Sequence, residues 1–173
     1  PAYEPIFATC AELGTPLNHP SGGSTPNFGN YLPQSLAMFM LEVTWWAHRA
    51  LWHLMFSGVF ERYPQLRVAI TEGTCRWAPE MLSLMDLRYE HGMEDQKLGD
   101  YRSHLSLKPS EYFRRNMALG ASCVRRSEVE QRHEIGLETI MWGSDYPHSE
   151  STFPRSREVL DEILQGVPEE ERV

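Results

Sequence analysis

The sequence predicts an α/β domain built on a parallel sheet, and two patterns carry the prediction. Four short apolar stretches of strand character are each separated from the next by a helical segment, the alternation of parallel (β/α) units. At 173 residues, 41% of them hydrophobic and 23% charged, the chain has enough apolar material for one core, so residues 1–173 read as a single domain. No internal sequence repeat is visible beyond that alternation.

The elements follow in order. From Tyr3, the apolar residues Ile6, Cys10 and Leu13 keep helical spacing, and Gly14 supplies a C-terminal stop. "TPLN" then leads as a short strand into His19. Residues 19–34, "HPSGGSTPNFGNYLPQ", are rich in Gly, Pro, Ser and Asn, and so long a loop in a compact domain is a candidate lid. A Trp-rich helix runs from about Ser35 to Gly58, "VFERYPQ" turns the chain, and "LRVAIT" is a strand ending at Glu72. "EGTCRW" is a loop, and Pro79 marks the first turn of the helix "APEMLSLMDLRYEHGM", where a missing backbone N–H costs nothing. After a polar stretch through Leu107, "PSEYFRRN" is a short helix with Ser110 as its cap and "MALGASC" a strand. "RRSEVEQRHEIG" is a charged surface helix closed by Gly136, and "ETIMW" is the last strand. "FPRSREVLDEILQG" completes the series as an amphipathic helix with Val159, Leu160, Ile163 and Leu164 on one side.

Charge and composition narrow the function. A formal charge of -8 offers no basic face to a phosphate backbone, so nucleic acid is not an expected partner. The most apolar segment, Ser35 to Ser57, has the length of a bilayer span, but Glu42, His48, Arg49 and His53 interrupt it; it reads as a buried helix of a soluble protein with no membrane partner. The cysteines (Cys10, Cys75, Cys123) are odd in number and form no CxxC pair, and no basic, apolar signal opens the chain, which together predict a cytoplasmic protein. The opening "PAYEPIF" has no methionine, and in the closing "VPEEERV" a helix is just starting at Pro168, so both ends read as cut from a larger protein.

Three of the four strands end in an ionisable side chain: His19, Glu72 and Asp145. In parallel α/β folds the loops leaving the carboxyl ends of the strands share one edge, so residues far apart in sequence converge there. Imidazole and carboxylates in one pocket suit a divalent metal such as zinc, with a further group free to move protons. Each residue also has an ordinary reading: Asp145 caps a turn beside Gly143, His19 is a loop residue, Glu72 a solvated turn acid. His148 is a second polar group for the same mouth, and Trp77, close to Glu72, a candidate wall for an aromatic substrate. His48 and His53 are five positions apart and share no helix face, so they are expected to pack among Trp45, Trp46 and Trp52. His91, His104, His133 and the three cysteines have no evident partners and read as structural.

Four segments in order, "FATCAELGTPLNHPSGG", "SGVFERYPQLRVAITEGTCRWAPEML", "PSEYFRRN" and "IMWGSDYPHSESTFPRS", resemble the second half of the amidohydrolase-related family. That branch of the metal-dependent TIM-barrel amidohydrolases includes the aminocarboxymuconate-semialdehyde and resorcylate-type decarboxylases. The resemblance implies the last four strands of a (β/α)8 barrel, incomplete here because a closed one takes about 250 residues. It assigns His19, after the fifth strand, and Asp145, after the eighth, as metal ligands. Two departures stand out: no His-x-His pair of the family's first strand occurs, and Glu72 occupies the sixth-strand position where the characterised decarboxylases carry histidine.

The expected activity is that of a metal-dependent hydrolase or decarboxylase. On a small carboxylated aromatic or cyclic substrate, either a metal-activated water would attack a carbonyl, or metal-assisted protonation of the carbon that bears the carboxylate would release CO2, with Asp145 and Glu72 moving protons. The alternative is an inactive half-barrel serving as an assembly or interaction domain. Either way an open sheet edge predicts a homo-oligomer or a complementary half-barrel chain as partner.

Overall fold

The computed structural model describes residues 2–21, 26–27, 29, 33–91, 99–122 and 124–172. Half of the candidate lid, residues 22–25, 28 and 30–32, lies outside the described residues, as does Cys123.

The predicted alternation is the one observed. Strands β1 (Leu17–Pro20), β2 (Val68–Gly73), β3 (Met117–Ser122) and β4 (Ile140–Gly143) form one parallel sheet in sequential order. Helix α1 (Glu4–Leu13) precedes it and is stopped by Gly14 in the left-handed conformation that a residue without Cβ adopts freely. Helices α2 (Gln34–Phe56) and α3 (Val59–Arg62) cross from β1 to β2, α4 (Ala78–His91) and α5 (Pro109–Asn116) from β2 to β3, and α6 (Arg126–Glu130) and α7 (Arg132–Ile135) from β3 to β4. Helix α8 (Ser156–Ile163) follows the last strand.

Among the described residues only one face of the sheet is covered. Val68 and Ile70 of β2 and Met117, Leu119 and Ala121 of β3 are buried together with Leu51, Phe60 and Phe113 from the crossing helices. Each of these side chains larger than alanine contributes about 1.5–3 kcal/mol when fully removed from water. On the other face Ala69, Thr71 and Ala118 stay half-buried and Met141 is 39% exposed. Parallel strands are normally buried on both sides, so this open face corresponds to the one a closed barrel turns inward. Thr71 and Gly120 touch across it, and a Cβ at Gly120 would meet the Thr71 methyl at 2.8 Å.

Four local expectations are revised. Ser110 is not the cap of α5: it lies inside the helix, where its N–H and hydroxyl donate to the Asp86 carboxylate at 2.9 and 2.6 Å, while Glu111 accepts from the Lys108 N–H at 2.7 Å. The charged helix expected over 125–136 is two short helices broken at Gln131, and it is anchored rather than superficial because Glu128, Val129 and Ile135 are buried. "VFER" is a short helix rather than a plain turn. Helix α2 is buried only in its second half, through Ala47, His48, Leu51 and Met55; its first half buries Ser35 alone. No helix of the described residues is long and apolar enough to cross a membrane.

Candidate active site

The carboxyl ends of the strands hold the two backbone outliers of the fold. Strand β2 pairs Thr71 with Gly120 and then Gly73 with Ala121, so Glu72 is left over as a bulge. Its φ is 59°, in the left-handed region where an L-residue with a Cβ is strained. Asp145, two residues beyond β4, has φ 64°. Among the described residues these are the only non-glycine positions with positive φ. Such strain concentrates at functional sites because only a surrounding structure that over-determines the backbone can hold it.

Both side chains line one cleft, together with His148 and Glu150 from the loop after β4. His148 Nδ1 lies 3.2 Å from Asp145 Oδ2, and the His148 N–H donates to the Asp145 carbonyl at 2.9 Å. The Asp145 carboxylate is nearly covered, its side chain 11% exposed, whereas the His148 ring is 59% exposed. The hydrogen bond and charge of Asp145 raise the His148 imidazole above its ordinary pKa. One ligand atom from each of Asp145, His148 and Glu150 falls within 4.8 Å of the others. Ligand atoms about 2 Å from a metal sit roughly 3–4 Å apart, so the two carboxylates and the imidazole need only a small side-chain adjustment to close on a divalent cation. Opposite them, Phe39, Met40 and Val43 from the first half of α2 give the cleft an apolar wall.

Glu72, Asp145 and His148 are therefore brought together, and His19 is not. His19 pairs with Ile70 and shares the helix-facing side with Leu17 and Val68. It lines a separate cavity between β1, α1 and α2, beside Phe7, His53 and Leu54. Partial burial there lowers its pKa. The contribution of β1 to the cleft is instead the buried Ser21. Trp77 also turns away: its ring stacks on His48 with centroids 3.6 Å apart, and its indole N–H donates to the Thr74 carbonyl at 2.6 Å. The packing role expected for His48 is seen, with Trp77 as its partner.

Sequence reasoning missed Glu150, Arg125 and the α2 wall. Arg125 lines the same cleft beside Ser122 at the end of β3, the one strand with no ionisable residue directly at its end. It stands three positions past Ser122, and searching each strand's following loop as well as its last residue would have found it.

A family model described as amidohydrolase matches residues 1–172. Among solved structures, a 5-carboxyvanillate decarboxylase from Sphingomonas paucimobilis is 25% identical with a TM-score of 0.71, over 99% of this chain and 50% of its own. A putative amidohydrolase from Staphylococcus aureus is 26% identical with a TM-score of 0.68, over 98% of this chain and 54% of its own. A dihydroxybenzoic acid decarboxylase from Polaromonas sp. JS666, solved with bound manganese and the inhibitor 2-nitroresorcinol, shares the fold at 20% identity and a TM-score of 0.63, over 98% of this chain and 49% of its own. A search of curated proteins finds no match. The chain spans about half the length of these structures. With a family model matched over nearly its whole length and a parallel sheet that spans half of amidohydrolase barrels, the chain belongs to the amidohydrolase family.

Proposed function

We propose that this chain carries the proton-transfer and metal-holding side of a decarboxylase that acts on a small carboxylated aromatic compound. The observation that carries the reading is the cluster of Asp145, His148 and Glu150, set with Glu72 opposite an apolar wall at the strand ends. The relatives whose names specify decarboxylation of carboxylated aromatics support that choice over hydrolysis.

Asp145, His148 and Glu150 would hold the metal, zinc or manganese, and any further ligands would come from a complementary half-barrel. When bound, the metal supplies positive charge that orients the substrate's oxygens and stabilises charge developing on the ring. Phe39, Met40 and Val43 support the ring face and keep bulk water off it. Glu72 delivers the proton: the C–C bond to the carboxylate breaks, its electron pair stays on the ring carbon and takes that proton, and CO2 leaves. Because Glu72 is exposed, solvent can reprotonate it for the next turnover.

The test combines metal analysis with turnover of 2,6-dihydroxybenzoate and 5-carboxyvanillate by the full chain. Bound divalent metal and released CO2 support the reading. In that case Glu72→Gln should lower kcat by about 10²–10⁴ with metal content unchanged, the usual worth of a positioned acid. Asp145→Asn should lose the metal. A chain that holds no divalent metal and turns over neither compound would instead support the assembly-domain alternative.

A further inference from the structure

The cleft is lined by three carboxylates, Glu72, Asp145 and Glu150, yet the substrate class proposed above is itself anionic. Among the described lining residues Arg125 is the one side chain with a permanent positive charge. Its root is fixed: the Arg125 N–H donates to Oε2 of the buried Glu128 at 2.9 Å, and its carbonyl accepts from the N–H groups of Glu128 and Val129 at 2.9 and 3.2 Å. Its guanidinium makes no ion pair or side-chain hydrogen bond among the described residues, whereas Arg62, Arg126 and Arg132 are each engaged with a carboxylate. A planar fork of donors with a held backbone and an uncommitted head is suited to bidentate capture of a carboxylate.

Which anion it captures follows from the reaction. The leaving carboxylate becomes neutral CO2, so a strong ion pair to that group would stabilise the ground state more than the transition state and slow the chemistry. A second anionic group that survives the reaction carries no such penalty. Resting on the decarboxylase reading, we propose that Arg125 is a specificity-determining residue that selects aromatic substrates bearing a second carboxylate or equivalent oxyanion, held at the end of β3 while the ring lies on the α2 wall.

The probes are isophthalate, with two carboxylates, and benzoate, with one, titrated calorimetrically into the full chain loaded with manganese. Wild type should bind isophthalate about 10- to 100-fold more tightly than benzoate, the range expected for one charge-assisted pair. Arg125→Ala should erase that preference while leaving benzoate affinity and metal content unchanged, and Arg125→Lys should restore part of it. The Arg125 backbone N–H that Glu128 accepts survives both substitutions, so neither should unfold the protein. A preference that persists in Arg125→Ala, or its absence in metal-loaded wild type, overturns the assignment and leaves the decarboxylase reading standing. A chain that takes up no metal and binds neither probe overturns both.

Discussion

Glu72 holds its carboxylate from a backbone conformation that costs a residue with a Cβ about 1–2 kcal/mol. Replacing it by glycine should therefore raise stability by about 0.5–1 kcal/mol, less than the full strain because glycine loses more freedom on folding. Urea unfolding would read the gain, and activity should fall as it does in Glu72→Ala, which retains the strain and should gain nothing. A Glu72→Gly variant no more stable than Glu72→Ala would show that the strand end bears no strain. His48 gives a second residue-scale prediction. Burial lowers its pKa from the ordinary 6.5 to about 4, and its Nε2 has no hydrogen-bond partner among the described residues. Below pH 6.5 the unfolded chain takes up this proton and the folded chain does not, so stability is complete above 6.5 and falls as pH drops toward 4. The total loss is on the order of 3 kcal/mol. His48→Phe, which keeps a ring against Trp77, should flatten that slope in denaturation curves measured from pH 7 to pH 4. An unchanged slope would place the acid sensitivity elsewhere.

At the scale of elements, the cleft depends on how two loops are tied together. Glu128 in α6 is 1% exposed, and its carboxylate accepts from the Cys75 N–H at 2.5 Å as well as from the Arg125 N–H. One side chain thus joins the loop after β2, which carries Thr74 and follows the Glu72 bulge, to the loop after β3, which carries Arg125. Burial, with the Glu128 charge, pushes the neighbouring Cys75 thiol up to about 12, which leaves it an inert core group. Glu128→Ala leaves the buried Cys75 N–H and the part-buried Arg125 N–H without their acceptor and should cost about 1–3 kcal/mol in thermal or urea unfolding. Glu128→Gln should cost less, because the amide oxygen still satisfies one of the two. Equal stability of all three proteins would rule out this tie. The elements themselves were largely legible: Gly14, Gly58 and Pro79 mark ends and starts in the sequence, and all four strands lie where apolar runs predicted them. Ser110 was misread because a serine near a helix start serves equally as a cap or as a partner for a distant acid. Only the fold brings Asp86 to it.

At the scale of the whole molecule, a parallel sheet that the described residues leave open on one face and unpaired at both outer strands presents apolar surface and free backbone groups to water. Expressed by itself, the 173-residue chain should therefore self-associate, and light scattering after gel filtration should give a mass above the monomer's. Addition of a complementary half-barrel should compete with that association. A stable monomer with an exposed sheet face would contradict the prediction.

By itself the sequence determined the α/β alternation and the placement of Glu72 and Asp145 at strand ends, because apolar periodicity and punctuating Gly and Pro are local properties of the chain. The tertiary structure decided which chemical groups meet. His19, in register with Ile70, faces the helices, while Ser21, just past the end of β1 and so released from its alternation, lines the cleft. The bulge at Glu72 reverses that alternation by one residue in β2, and only the pairing of β2 with β3 reveals it. Glu150, Arg125 and the α2 wall join the site through packing among segments that lie far apart in sequence, which no local pattern encodes.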